Sequence, residues 1–210
     1  MKTLSTADWQ TLRDTLTLDG RAFINGQRTD SDKTMTATSP IDNTVLAEVA
    51  LCSEAEVNTA VAAARQTFHD GVWAKTAPAK KKKVLHRFAD LLEKYRQELA
   101  LIETLDTGKP ITHSHRHDLS GVIDCVRWYA EGLDKVYGEI PTTDSGALAL
   151  VRREPIGVIG GILPWNFPLL LLAWKVAPAL ALGNSIVIKP SEKSSLSTLR
   201  FAEIAHEAGI

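Results

Sequence analysis

The local sequence with the most chemical content is Pro164-Trp165-Asn166-Phe167-Pro168. It follows an apolar run from Ile156 to Leu163 that reads as a buried β-strand, and it precedes an apolar helical stretch from Leu169 to Leu182. A loop at the carboxyl end of a parallel strand lies on the edge where open α/β sheets bind their ligands. Two prolines hold the loop extended and restrict where the Asn166 side chain points. A carboxamide offers two N–H donors without net charge, which suits the stabilisation of a transient oxyanion. The same residues also compose a rigid packing turn with a satisfied asparagine.

Lys189-Pro190-Ser191-Glu192 ends the next apolar run, Ser185 to Lys189, and so belongs to the same edge. A lysine and a carboxylate at that place can clamp the hydroxyls of a ribose. The carboxylate also repels a 2′-phosphate, which favours NAD over NADP. A solvated strand-end pair followed by a serine-capped helix is the structural alternative.

The elements around these residues alternate. Strand, helix, strand and a last helix from Ser195 to Ala208 give the β-α-β-α pattern of a parallel doubly wound sheet. Ahead of them the periodicity is helical. Ser53 and Glu56 form a capping box, Pro78 suits a first helical turn, a third helix spans about Gln97 to Asp106, and a fourth carries apolar residues from Leu119 to Val136 before Gly138. The opening differs again: Ala22 to Asn25, Thr34 to Thr38 and Val45 to Val49 read as short strands of an antiparallel appendage, with a turn at Asn25-Gly26. Between Gly138 and Arg153 the texture is that of a hairpin or extended arm.

Other groups compete for a chemical role. Cys52 precedes a helix start, where a thiol pKa can fall, and Cys125 lies mid-helix beside an apolar stripe; both read as structural. His113, His115 and His117 look like a metal cluster, but on a helix His115 points away from the other two and no complementary ligands follow, so no metal is expected. Lys80 to Lys83 reads as a solvated helix face rather than a nucleic-acid patch.

The bulk numbers agree with an ordinary globular chain. It has 210 residues, 44% hydrophobic and 23% charged, with a formal net charge of -1. Nothing in that balance calls for a nucleic-acid or membrane partner. Met1 to Asp8 lacks the apolar core of a secretory signal, and two cysteines make no disulfide framework, so a cytoplasmic setting is expected. The uncharged stretch from Ile156 to Trp174 is long enough to span a bilayer, but Pro164 and Pro168 interrupt any helix there.

Taken in order, Leu105–Pro110, Trp128–Ala130, Glu154–Ile159, Pro164–Leu170, Ala177–Asn184 and Lys189–Glu192 resemble the aldehyde dehydrogenase superfamily. The likeness is strongest to the bacterial γ-glutamyl-γ-aminobutyraldehyde enzymes and to related broad-specificity and betaine-aldehyde ones. It implies a partial doubly wound, Rossmann-like α/β fold with flanking helices. Residues 1–137 and 154–210 would form an incomplete cofactor-binding domain and 138–153 an oligomerisation arm, with the catalytic domain absent. It implies that Asn166 is the oxyanion donor and that Ile162, Leu163, Pro164 and Trp165 line an NAD or NADP cofactor. Lys189, Ser191 and Glu192 would hold the adenosine ribose, and Phe167, Leu170 and Trp174 an aldehyde tunnel. Lys175 would lie near the catalytic centre.

The family's nucleophilic cysteine, glutamate base and Gly-Ser-Thr cofactor turn come later in its sequence, and none is found before Ile210. The expectation is therefore the N-terminal segment of an enzyme that oxidises small aldehydes, aminoaldehydes foremost, and associates with copies of itself. A nucleotide-binding or subunit-association fragment is the alternative. An unrelated Rossmann-type module would carry a Gly-x-Gly-x-x-Gly turn that is missing after the strand at Ile156.

Overall fold

The computed structural model describes residues 4–210. Of the segment read above as no secretory signal, Met1 to Thr3 lie outside the described residues. The chain opens with a helix, α1 (Thr6–Thr15), which the apolar pattern did not announce because it buries none of its residues. Its signal was the capping box: the Ser5 side chain accepts from the Asp8 N–H while Asp8 accepts from the Ser5 N–H.

The small antiparallel appendage expected here is built of two ribbons. β1 (Ala22–Ile24) pairs with β2 (Gln27–Thr29), and β3 (Thr34–Thr38) pairs with β4 (Val45–Ala50). Asn25 and Gly26 make the first turn at φ 50° and 78°. Both values are left-handed, as a two-residue hairpin of this hand requires. Gln27–Thr29 was too short and polar to read as a strand; the turn imposes it.

The helical layer holds the core. α2 (Glu54–Asp70) is capped by Ser53 and Glu56 as expected and stopped by Gly71 in the left-handed conformation. α3 (Pro78–Lys94) starts on its proline, and α4 (Arg96–Thr107) ends on Gly108. α5 (Ile111–His113) runs into a π-helical turn (Ser114–Asp118) and then α6 (Leu119–Gly132). The continuous helix expected as far as Val136 stops at Gly132 and decays into a 3₁₀ turn, Leu133–Lys135. The π turn has a visible partner: Arg96 donates from Nη1 to the His115 carbonyl at 2.9 Å and to Ser120 Oγ at 3.1 Å.

β5 (Val158–Ile162) and β6 (Ser185–Lys189) pair in parallel, joined by α7 (Pro168–Ala181), and α8 (Leu196–Ala208) closes the chain. α2 packs on both strands and α7 on β6. Leu85, Phe88 and Leu92 of α3 meet Leu119, Val122 and Val126 of α6, Leu169 and Leu172 of α7, and Phe201 and Ile204 of α8 in one core. Each such side chain stabilises the fold by about 1.5–3 kcal/mol on burial.

The first of these strands was expected to be buried, and it is mostly half-buried or exposed instead, as is its partner. Each pairs only with the other among the described residues, so Ile162 is 77% exposed. Two further expectations fail. Lys81 is not on a solvated face: it is buried and donates to the Ala74 carbonyl at 3.2 Å, while Lys82 pairs with Glu131 at 2.6 Å. The serine at the start of α8 does not cap it: Ser195 Oγ is buried without a partner, and Asp106 of α4 accepts from the Leu196 N–H at 3.0 Å instead.

Residues 138–153 run extended, closed by a bridge between Glu139 and Val151 and a turn in which Ala147 N–H donates to the Asp144 carbonyl at 3.0 Å. The stretch is thus extended and closed on itself at one bridge, with features of both the hairpin and the extended-arm reading. Ile156 to Trp174 resolves into strand, loop and helix, and among the described residues no helix is long and apolar enough to cross a membrane.

Candidate functional site

Paired parallel strands place two loops side by side. Ile162 is in register with Lys189, and the Leu163 N–H donates to the Lys189 carbonyl at 3.1 Å. The Pro164–Phe167 loop and the Pro190–Glu192 turn therefore leave the same edge of β5 and β6, as the sequence pattern required.

Asn166 is exposed on this edge, and its carboxamide makes no hydrogen bond with another described residue. The chain on both sides is fixed. Leu163 is buried in the core, Pro168 is the buried first residue of α7, and the Leu169 N–H donates to Glu103 Oε2 at 3.2 Å. A donor on a short tether between two anchors suits a site that must stabilise charge without reorganising.

Lys189 Nζ lies 3.4 Å from Glu192 Oε2, both side chains being exposed. The Glu192 backbone N–H and the Lys189 ammonium hold the Glu192 carboxyl below its ordinary range. It is a carboxylate at neutral pH, able to accept from two hydroxyls.

The remaining candidates divide. Pro164 and Trp165 are exposed beside Asn166, whereas the buried Leu163 can offer only backbone. Ser191 is buried and its hydroxyl already accepts from the Lys193 N–H at 3.2 Å. Phe167 precedes α7, and Leu170 and Trp174 follow it at helical spacing: Phe167 and Trp174 are exposed, while Leu170 is half-buried against the core. Lys175 is exposed on the same helix.

The competing groups lose their claims. Burial raises both the Cys52 and Cys125 thiols above their ordinary range, with Glu56 adding to the effect at Cys52, so neither favours the thiolate. A helix start did not lower Cys52. The His113 and His117 rings lie 5.1 Å apart on one face, while His115 turns away to pack edge-on against Trp9. No group of three or more metal-ligating side chains occurs among the described residues.

Sequence reasoning missed Glu103, Asp106, Lys109, Asp118 and Asn184. Asn184 is buried, accepts from the Gly157 N–H at 3.1 Å and donates to the Ala179 carbonyl at 3.2 Å, so one side chain ties the start of β5 to the end of α7. The signal for Glu103 was present: it is a charge placed among Leu99, Leu101, Ile102 and Leu105, in a helix whose next residues are buried.

A parallel strand pair flanked by helices, with the two candidate loops leaving its carboxyl end, defines a doubly wound α/β protein. The chain belongs to the aldehyde dehydrogenase family, whose model matches residues 27–210. It is 50% identical over 206 residues to the NADP/NAD-dependent aldehyde dehydrogenase PuuC of Escherichia coli (strain K12), covering 97% of this chain and 42% of that protein. It superposes on the γ-glutamyl-γ-aminobutyraldehyde dehydrogenase from Burkholderia cenocepacia J2315 with a TM-score of 0.96 and 52% identity, covering 99% of this chain and 42% of that one. An indole-3-acetaldehyde dehydrogenase crystallised with NAD+ gives a TM-score of 0.97 at 48% identity, with coverage of 99% and 42%. The chain thus spans less than half the length of each of these three relatives.

Proposed function

We propose that this chain supplies the oxyanion donor and part of the cofactor cradle of an NAD(P)-dependent aldehyde dehydrogenase acting on small aldehydes, aminoaldehydes foremost. The observation that carries this reading is the shared edge. An unpartnered carboxamide at Asn166 and the paired Lys189 and Glu192 side chains leave the carboxyl ends of two strands in register. Residues 1–137 and 154–210 belong to the cofactor-binding part, with 138–153 as an arm between subunits. The setting is cytoplasmic.

The donor set fits a dinucleotide. Glu192 accepts from the ribose hydroxyls, Lys189 donates beside it, and Ile162, Pro164 and Trp165 offer exposed surface next to them. The carboxylate repels a 2′-phosphate, so NAD is favoured over NADP. The bound cofactor supplies the hydride acceptor. Asn166 donates its N–H groups to the oxygen that gains charge when a nucleophile adds to the aldehyde. Phe167, Leu170 and Trp174 line the approach of the aldehyde.

In a chain extended to the length of its relatives, Asn166→Ala lowers kcat by about a hundredfold to a thousandfold, followed as NADH absorbance with an aldehyde panel. A wild-type rate in that variant sinks the oxyanion role. The 210-residue chain itself should show no turnover in the same assay; burial raises both the Cys52 and Cys125 thiols, and robust turnover would refute the reading that neither is the nucleophile. A second reading, a module that only associates with a full-length subunit, is favoured by the exposed Ile140, Leu148 and Leu150 of the arm. Binding of NAD by the isolated chain, lost on Glu192→Ala, separates the two.

A further inference from the structure

Both attachments of the chain just after Asn166 lead to one cluster of ionisable side chains, Glu103 and Asp118 buried and Lys109 half-buried beside them. Glu103, on α4, is 0% exposed. Its Oε2 accepts from the Leu169 N–H in the first turn of α7 at 3.2 Å, and its Oε1 accepts from Lys109 Nζ at 3.2 Å. Lys109 follows the Gly108 cap of α4, donates also to Asp118 of the π turn at 2.5 Å, and lies 4.3 Å from the centroid of the Phe167 ring. Phe167 and Leu169 flank Pro168, and Asn166 is the residue before them.

Such a cluster is a poor source of net stability. Taking a carboxylate and an ammonium out of water costs several kcal/mol each, and a well-packed apolar group in their place is often neutral or better. What the cluster does supply is direction. A carboxylate holds an amide along its lone pairs, and a cation holds an aromatic face. Here those two constraints act on Phe167 and Leu169, on either side of the Pro168 that ends the Asn166 loop. An oxyanion donor is effective only where it is held in place before charge develops.

We propose that Glu103 and Lys109 are positioning residues for Asn166, with Asp118 orienting the lysine. The proposal rests on the oxyanion reading of Asn166 given above. Neither side chain touches the reacting atoms: Glu103 sets the start of α7, and Lys109 sets the Phe167 ring.

The test uses Glu103→Ala, Glu103→Gln, Lys109→Met and Lys109→Arg. Hydrogen exchange at the Leu169 amide of the 210-residue chain, read by fragmentation mass spectrometry, is compared with the Leu199 amide, which donates to the Ser195 carbonyl in α8. Glu103→Ala speeds exchange at Leu169 about tenfold relative to Leu199. Exchange that rises equally at both amides, or at neither, overturns the proposal. If Glu103→Ala fails to fold, Glu103→Gln and Lys109→Met carry the test.

In a chain extended to the length of its relatives, Lys109→Met lowers kcat about tenfold to a hundredfold while KM for NAD stays within about twofold, and Lys109→Arg restores most of the loss. An unchanged kcat, or a loss shared equally by KM for NAD, overturns the positioning role. An extended parent that oxidises no aldehyde overturns the functional reading instead, and the exchange measurement still decides whether the cluster holds the loop.

Discussion

Asp106 shows how one carboxylate can act at a distance in sequence from the element it serves. It sits in the last turn of α4 and caps the first turn of α8 through the Leu196 N–H. Burial pushes its pKa up to about 6, against the lowering effect of that hydrogen bond. The sign follows from linkage. The folded pKa lies above the unfolded one near 3.9, so the contribution to stability is full below about pH 4 and is lost as pH rises through 6, by on the order of 3 kcal/mol. Asp106→Asn keeps an acceptor for Leu196 and removes the titration. Its melting temperature should therefore fall less between pH 5 and pH 8 than that of the parent. Equal falls in the two proteins would refute the assignment. Asn166 belongs to the same scale: it does nothing for the fold that the structure shows, and its value lies in what its exposed carboxamide faces.

Among the elements, the βαβ unit depends on one side chain. Asn184 joins Gly157 at the start of β5 to Ala179 near the end of α7, and Gly157 adopts φ 125°, which L side chains rarely take. Asn184→Ala leaves the buried Gly157 N–H without a partner, a loss of about 1–3 kcal/mol. Chemical denaturation of the variant measures it, and a change below about 0.5 kcal/mol would contradict the bridge. Nearby, Gly183 at φ 89° leaves room for the buried Lys81, whose Nζ would lie 2.9 Å from an added Cβ. The lysine run thus splits by position on α3. Lys81 turns under the Gly183 bend, and Lys82 reaches Glu131 of α6.

For the whole molecule, the balance of surfaces is the main feature. The helical core is closed, but β5 and β6 keep unpaired edges among the described residues, and Ile140, Leu148, Leu150, Ile156 and Ile162 are exposed. A formal net charge of -1 does little to keep copies apart. The isolated chain should associate with itself as its concentration rises, seen as a shift to faster species in sedimentation velocity. Leu148→Asp with Leu150→Asp should reduce that shift. A concentration-independent monomer with a cooperative melt would overturn this expectation.

Much of this was legible in the residues alone, for physical reasons that act locally. Capping boxes at Ser53, the first-turn proline at Pro78, the left-handed glycines Gly71 and Gly108, and the alternation of apolar runs after Arg153 each depend on neighbours within a few positions. The shared edge of Asn166 and Lys189–Glu192 was legible too, because parallel strands joined by a helix must point the same way. What the tertiary structure alone decided concerns groups that meet from distant segments. Only packing brings Glu103 to Leu169, Asp106 to Leu196 and Lys109 to Phe167, turns Ser191 inward, and buries Lys81 within a run of lysines. Sequence periodicity reports which face of an element is apolar; it does not report which buried charge from another element will be waiting there.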